Sequence, residues 1–135
     1  MASHQKPNDI HPFADLLGMS MATSSDGYSE FVLTVDKKLL NPHQVLHGGV
    51  IYSLADTGMG AAVYTVLNEG QLCATIEIKI SYFKPVFAGE IVCKTKIVNK
   101  GRSIVTLESE VFNGEQLVAK AMGSYAIFKA RAKKA

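Results

Sequence analysis

The sequence predicts an α+β fold in which an antiparallel β-sheet wraps round one central α-helix. Residues 48–66 form one apolar block with helical spacing, and four runs between residues 72 and 128 follow it with the period-two alternation of β-strands. The helix and the sheet each have apolar surface to bury, and little else in the chain is available to cover it. The 135-residue length suits a single domain, with a core over about residues 12–128.

Ahead of the helix, the sequence predicts a short helical turn over residues 14–19 and a strand over residues 30–35. Asn41 and Pro42 then interrupt the chain before the helix begins. The helix is apolar nearly all round, which is typical of a buried helix. Its apolar positions are Ile51, Leu54, Ala55, Met59, Ala62, Val63 and Val66.

Four strand predictions follow the helix. The first, from Leu72, places its isoleucines on one face and its charged residues on the other, and this parity puts Thr75 opposite the isoleucines unless the strand bulges there. Residues 85–89, which begin with proline and end with glycine, are predicted to form a turn. The runs 91–98, 104–112 and 117–128 are separated by residues 99–101 and by Asn113-Gly114, a hairpin pair. The order predicts a four-stranded antiparallel meander.

Composition excludes several classes of protein. No apolar run reaches the roughly 18 residues of a membrane span, and the N-terminus MASHQKPNDIHPF lacks the order of a signal peptide, so a cytoplasmic protein is predicted. The net charge is +2, with four basic residues in a short C-terminal tail that we expect to be solvated. Basic residues interleaved with aromatics are missing, so no nucleic-acid partner is expected.

Metal and disulfide chemistry are not expected either. Cys73 and Cys93 are lone cysteines without a CxxC pair, and in a reducing compartment they are most simply core residues. The histidines at positions 4, 11 and 43 show no metal-ligand spacing, and we assign them to the surface or to loops. No cofactor is predicted.

Asp56 is the residue where the sequence predicts chemistry. Between Gly48 and Asn68 it is the only carboxylate, and no basic side chain accompanies it. An ionised carboxylate in an apolar setting costs several kcal/mol unless something compensates it, whereas a solvated helix face would carry more charges. The alternative is a structural one, in which Asp56 caps a loop or accepts from Ser53 or Thr57.

Four segments carry a family resemblance: NPHQVLHGGVIYSLADTGMG, the strand ATIEIKISY, the turn FKPVFAGE and the segment VNKGRS. The asparagine six residues before the histidine and the aspartate nine after it make the pattern specific. Over roughly residues 12–128 the chain resembles the hotdog-fold acyl-CoA thioesterases of the PaaI-like, phenylacetate-pathway branch. The resemblance implies a hydrolase that releases a carboxylic acid and free coenzyme A, which is part of the substrate.

The resemblance also implies roles for individual residues. Asp56 matches a catalytic carboxylate acting as nucleophile or general base, and Gly48 matches the glycine whose N–H polarises the thioester carbonyl. Asn41 and His47 match residues that orient the thioester or water, and Thr75 matches a residue that positions the nucleophile. Both residues also have a purely structural alternative. His47 would hydrogen-bond the backbone at the start of the helix, and Asn41 would form a turn together with Pro42. Gln44 stands where the family often has glycine.

The physics of the helix start agrees with these roles. A helix N-terminus offers unpaired N–H groups with partial positive charge, suited to the oxyanion of thioester hydrolysis, and Gly48 and Gly49 permit close approach. The nine residues from His47 to Asp56 rotate about 900° and rise about 13 Å, so the helix start and the carboxylate point in opposite directions. The site is therefore predicted at a two-fold interface of a homodimer, with dimers pairing further into a tetramer as the family implies.

Substrate contacts are predicted at the rim and in the helix. Coenzyme A phosphates are expected to meet Lys84, Lys100 or Arg102, with Arg102 first because it lies in the family-like segment. Tyr52, Met59, Tyr64 and Phe83 are expected to line the acyl pocket, for either an aryl or a medium-chain group. Two alternatives remain: a hydroxyacyl-thioester dehydratase, and a non-catalytic acyl-CoA binding protein.

Overall fold

The computed structural model describes residues 11–131. Two helices, one 3-10 turn and six strands follow one another along the chain: α1 (Pro12–Leu17), β1 (Met19–Ser25), β2 (Tyr28–Thr34), the 3-10 turn Lys37–Leu39, α2 (Gly48–Tyr64), β3 (Gln71–Tyr82), β4 (Glu90–Lys100), β5 (Ile104–Asn113) and β6 (Gln116–Lys129). The long helix, the strands after it and the Asn113-Gly114 turn are as predicted, and Gly114 has φ 65°. Within this part of the chain, no helix has both the length and the apolarity needed to span a membrane.

The six strands form one antiparallel sheet in the order β1-β2-β4-β5-β6-β3. Alternate residues of its strands are buried against α2, which packs against one face of the sheet. Leu54 and Met59 of α2, with Ile91 and Leu107 of the sheet, are fully buried at the centre of this core. A sheet wrapped round a central helix is therefore confirmed.

The predicted meander is wrong at its first strand. β3 does not pair with β4; it pairs with β6 at the far edge, while β4 pairs with β2. Residues 83–89 are thus a crossing and not a hairpin turn. Phe83 N–H donates to Val118 O, Leu46 N–H to Val86 O, and Val35 N–H to Gly89 O, which fastens the crossing across the end of the sheet. Seven residues span about 23 Å when extended, enough to cover the three inter-strand spacings, about 14 Å, from β3 past β6 and β5 to β4.

The N-terminal part contains a strand that the sequence did not predict. β1 reads MSMATSS, which has no run of β-branched or aromatic residues, and most of it is exposed. It forms because β2 offers it a backbone edge, in a hairpin closed by Asp26 and Gly27 with φ of 53° and 80°. Residues 14–17 are helical as predicted, whereas Met19 belongs to β1.

The helix α2 is buried on one side only, which corrects the prediction of a helix buried all round. Its core stripe contains Ile51, Leu54, Ala55, Gly58, Met59, Ala62 and Val63. A second stripe at the same helical spacing is only partly covered and lines a cavity: Tyr52, Ser53, Asp56, Thr57, Gly60, Ala61 and Tyr64. Because Ala, Gly and Thr are common on this second stripe, the helix looks apolar all round in sequence although two different environments surround it.

The strand β3 bulges beside α2. Its pairing with β6 shifts register between Thr75 and Glu77, so Ile76 is an extra residue with no partner on β6. The Ile76 side chain is 53% exposed. The bulge reverses the face parity, so Thr75 lies opposite the inward-facing Tyr125 while Ile78 and Ile80 still pack on the core. Of the two alternatives that strand parity left for Thr75, the bulge is the correct one.

Gly58 marks the closest approach of α2 to the sheet. Three fully buried hydroxyls surround this point: Ser29 donates to Gly58 O at 2.7 Å, and Thr95 and Ser109 are joined at 2.6 Å. A Cβ on Gly58 would lie 2.9 Å from Thr95 Oγ1, whereas one on Gly60 would meet only Tyr125, at 3.9 Å. The two glycines lie on the same helix, but only Gly60 has room for a side-chain methyl group.

We expect Gly58→Ala to be less stable than Gly60→Ala by about 1–3 kcal/mol in the free energy of unfolding. Alanine is favoured over glycine in a helix by about 1 kcal/mol at both positions, so the difference isolates the overpacking against Thr95. Urea unfolding of both variants and wild type measures it. Equal stability of the two variants would contradict the close packing at Gly58.

Candidate active site

A cavity of about 440 Å³ opens beside the partly covered stripe of α2. It is bounded by residues 73–75 near the start of β3, by Tyr125 of β6 and by the start of α1. Its volume lies in the range of small-molecule sites. Five aromatic side chains contribute to its wall: Phe13, Phe31, Tyr52, Tyr64 and Tyr125. Asp56 is the only carboxylate among the lining residues. We call this space the Asp56 pocket.

The carboxylate of Asp56 is held by hydroxyl groups. Thr75 Oγ1 donates to Asp56 Oδ1 at 2.8 Å, a contact made possible by the bulge at Ile76. Ser53, one of the donors that the structural alternative for Asp56 named, donates to Gly49 O instead. Asp56 therefore faces a cavity, and the sequence-predicted pair of Asp56 and Thr75 is brought into contact.

Tyr125 is a site residue that the sequence reasoning missed. Its hydroxyl donates to Asp56 Oδ1 and also lies 2.8 Å from Asp56 O. Burial, reinforced by the hydrogen bond to Asp56, raises the pKa of Tyr125 well above its ordinary value, so the phenol stays protonated. The sequence did indicate that Tyr125 points inward, because it follows the small residues Ala119, Ala121 and Gly123 on the same face of β6. Which β3 residue would lie opposite Tyr125 depended on the strand register, which the sequence did not reveal.

The start of α2 has the predicted geometry. His47 is the N-cap, and its Nδ1 accepts from Gly49 N–H at 2.8 Å, which requires the tautomer with hydrogen on Nε2. Because of this bond, the Gly49 N–H is not free to bind a substrate. Within residues 11–131 the Gly48 N–H has no hydrogen-bond partner, so it is the donor available at this helix end. Tyr82 covers Gly48 from one side, donating to Gly48 O at 2.7 Å.

The loop before the helix is organised by Asn41. Its Oδ1 accepts from His43 N–H at 2.9 Å and from Val45 N–H at 3.3 Å. Gln44 has φ 68°, which explains why glycine suits this position. The turn is closed by Gln44 N–H donating to Asn41 O. Asn41 and His47 thus make the backbone contacts that their structural alternatives predicted. Their roles toward substrate stay predictions.

The predicted residues fall into two groups within one chain. Gly48, Phe83 and Lys84 line a second cavity of about 260 Å³ at the start of α2, which we call the Gly48 pocket. None of these three lines the Asp56 pocket, and Asp56 does not line the Gly48 pocket. Eight residues of helix, about 12 Å of rise, separate Gly48 from Asp56. One chain therefore places the predicted residues at two separate pockets.

Other predicted residues lie elsewhere. Lys100 and Arg102 are exposed at the β4–β5 turn, away from both pockets. Met59 is fully buried in the core and does not line the acyl pocket as expected, because it lies on the core stripe of α2. His11 and Cys73 both line the Asp56 pocket, and His11 Nδ1 also caps α1; His4 lies outside the described residues. No cluster suited to a metal ion occurs among residues 11–131.

Comparison with known proteins identifies the family and the fold. The sequence profile of the Thioesterase superfamily matches residues 43–120. The acyl-coenzyme A thioesterase PaaI of Escherichia coli is 30% identical over 104 residues, 76% of this chain and 72% of that protein. A conserved protein of Pseudomonas aeruginosa has a solved structure that superimposes with a TM-score of 0.85 at 34% identity, covering 88% of this chain and 95% of the other.

A variant of the phenylacetic acid degradation protein PaaI of Thermus thermophilus also superimposes, with a TM-score of 0.81 at 27% identity over 86% of this chain and 98% of that one. The six-stranded sheet round one helix is the hotdog fold, and the chain belongs to the thioesterase superfamily. Within that superfamily it is a PaaI-like thioester hydrolase.

Proposed function

We propose that this protein hydrolyses acyl-CoA thioesters at sites shared between two subunits, with Asp56 of one subunit and the Gly48 N–H of the other acting on the same thioester. The observation that carries the proposal is the division of the site residues. Asp56, held by Thr75, lines one pocket, while Gly48, whose N–H has no hydrogen-bond partner within residues 11–131, lines another. Each half lacks what the other supplies.

The proposed chemistry needs only these groups. Acting as a general base, Asp56 takes a proton from water, and the hydroxide oxygen forms a bond to the thioester carbon. The Gly48 N–H and the helix N-terminus stabilise the resulting oxyanion. When the intermediate collapses, the C–S bond breaks, and coenzyme A leaves as a thiol with the proton held by Asp56. Acting as a nucleophile, Asp56 would form a mixed anhydride that water then hydrolyses. No metal or other cofactor takes part.

The strand β3 supports the shared site because it contacts both halves. Thr75 near its start bonds Asp56, and Tyr82 at its end bonds Gly48. β3 lies at a sheet edge, where Ile76 is 53% and Tyr82 49% exposed. In an antiparallel pair of β3 strands with its two-fold axis between residues 78 and 79, Thr75 of one copy lies opposite Tyr82 of the second. That register brings each Asp56 toward the other copy's Gly48.

The same register would bring the residues predicted to contact coenzyme A to one end of the joint site. Ile127 N–H donates to Ser103 O, so the turn with Lys100 and Arg102 lies at the end of the sheet where β3 begins. Lys84 lies at the opposite end, beside the Gly48 pocket. Antiparallel pairing places Lys84 of one copy and Arg102 of the other at the same end of the joint site, where phosphates could meet both.

The aromatic wall of the Asp56 pocket favours an aryl-acyl substrate over a straight chain. Offset and edge-to-face contacts between rings add about 0.5–1.5 kcal/mol beyond the buried area. We further propose that dimers associate into tetramers through the face of the sheet away from α2, where several large apolar side chains are exposed: Leu72, Ile104, Met122 and Phe128. We place this enzyme in the cytoplasm.

The test is release of free thiol from a panel of aryl-CoA and straight-chain acyl-CoA thioesters by the purified protein. We expect turnover with the highest kcat/KM on aryl substrates and, in light scattering, a mass of two or four 14.6 kDa chains. Burial raises the pKa of the Cys73 thiol to about 11, so its reaction with the thiol reagent is slow and an enzyme-only blank corrects for it. No turnover on any thioester, or a monomer, would contradict the proposal.

A further inference from the structure

Tyr125 and Asp56 form a hydrogen-bonded side-chain pair between the sheet and α2. Tyr125 is 2% exposed, and its ring lies over Gly60 of the helix. Its single hydroxyl hydrogen is shared between Asp56 Oδ1 and Asp56 O. The backbone oxygen alone would satisfy a buried phenol, so the carboxylate contact is additional to what burial requires.

The hydrogen bonds to the carboxylate are unevenly distributed. Thr75 and Tyr125 both donate to Oδ1, while Oδ2 accepts no hydrogen bond from residues 11–131. We propose that Tyr125 is a positioning residue which, together with Thr75, fixes Oδ1 so that Oδ2 alone is left to act on water or on the thioester. This inference rests on the proposed function and adds to it the residue and the atom that set the reacting geometry.

The two donors hold the carboxylate from different elements. Thr75 reaches it from the bulge of β3 at the sheet edge, and Tyr125 reaches it from β6, the next strand inward. Tyr125 is 2% exposed and lies on a strand that is paired on both sides within its own subunit, so it supplies the fixed reference. Burial, reinforced by the bond to Asp56, raises the pKa of Tyr125, which keeps it a donor throughout the pH range of an assay. Displacement of a reacting group by about 1 Å can cost about 100-fold in rate.

Kinetics of Tyr125→Phe test the role, since phenylalanine keeps the ring that packs and removes only the donor. We expect kcat to fall at least tenfold, with KM changed less than twofold. The matched control is Tyr28→Phe, which removes a hydroxyl that donates to Glu30, outside both pockets, and should leave kcat unchanged. Thr75→Val with Tyr125→Phe should lose more than the product of the single losses, because each single variant leaves Oδ1 one donor. A kcat of Tyr125→Phe within twofold of wild type would overturn the proposal.

A second readout does not depend on turnover. In protein labelled with ¹³C at the aspartate carboxyl carbons, the resonance that disappears in Asp56→Asn belongs to Asp56. We expect Tyr125→Phe to shift this resonance and Tyr28→Phe to leave it in place. An unmoved resonance overturns the positioning role even if wild type hydrolyses thioesters. A shifted resonance in a protein without turnover upholds the Tyr125–Asp56 contact and instead counts against the proposed function.

Discussion

Asp56→Asn is expected to lower kcat for thioester hydrolysis at least 1,000-fold while the protein stays folded. Asparagine keeps the shape of the side chain, and its carbonyl oxygen can still accept from Thr75 and Tyr125 in place of Oδ1. Its amide nitrogen replaces Oδ2 and is neither a base nor a nucleophile. General-base catalysis alone contributes about 10²–10⁴-fold, and loss of a nucleophile would remove the covalent route as well. Thiol release under saturating substrate measures the effect.

The matched control is Asp26→Asn. It makes the same chemical change at an exposed turn residue with φ 53°, a conformation that asparagine also adopts. We expect its kcat to equal that of wild type. If Asp56→Asn kept more than a tenth of the wild-type rate, Asp56 would not be the base or nucleophile. A protein that bound acyl-CoA equally well with and without the carboxylate would fit the non-catalytic binding alternative.

Gly48→Pro is expected to lower kcat by about 10²–10³-fold, equivalent to about 2.7–4 kcal/mol in the barrier, by removing one oxyanion donor. Proline is tolerated at the first position of a helix, and His47 has φ −63° and ψ 133°, the conformation favoured before proline. The substitution therefore removes the N–H with little harm to the helix. Comparing kcat and the unfolding free energy of this variant with wild type measures both effects.

Gly48→Ala separates the loss of the N–H from crowding. A Cβ at this position would lie 3.1 Å from Tyr82 Cζ, and Tyr82 is half-exposed and able to shift. Alanine keeps the N–H, so we expect it to lose less than tenfold. Equal losses in the proline and alanine variants would show that crowding matters and that the Gly48 N–H does not polarise the carbonyl.

Mixing the two inactive variants tests whether the site is shared. In a heterodimer of Asp56→Asn and Gly48→Pro chains, one site combines the intact Asp56 of one chain with the intact Gly48 of the other, and the second site carries both lesions. We therefore expect co-expressed chains to regain activity approaching half that of wild type per heterodimer. If each chain built its own complete site, every site would carry one lesion and no activity would return.

Local sequence was sufficient for most elements of the fold. The period-two runs after residue 72 and the Asn113-Gly114 pair predicted β5 and β6 to within a residue, because alternation and turn chemistry are properties of neighbouring residues. The helix start at His47-Gly48-Gly49 was equally readable. Strand order was not readable in this way. Residues 83–89 lead from β3, which lies beside β6, across the sheet to β4, and nothing in these seven residues themselves indicates that crossing.

The candidate site divides in the same way. Asp56 stood out by composition, the family resemblance pointed to Gly48, and helical geometry separated the two, so the sequence by itself predicted both residues of the proposed reaction and their distance along the helix. Only the tertiary structure decided what holds the carboxylate. Thr75 reaches Asp56 because one residue is inserted at the bulge, and Tyr125 reaches it because β3 pairs with β6 in one register. Register and bulges arise from packing of distant segments on a common core, which local periodicity does not encode.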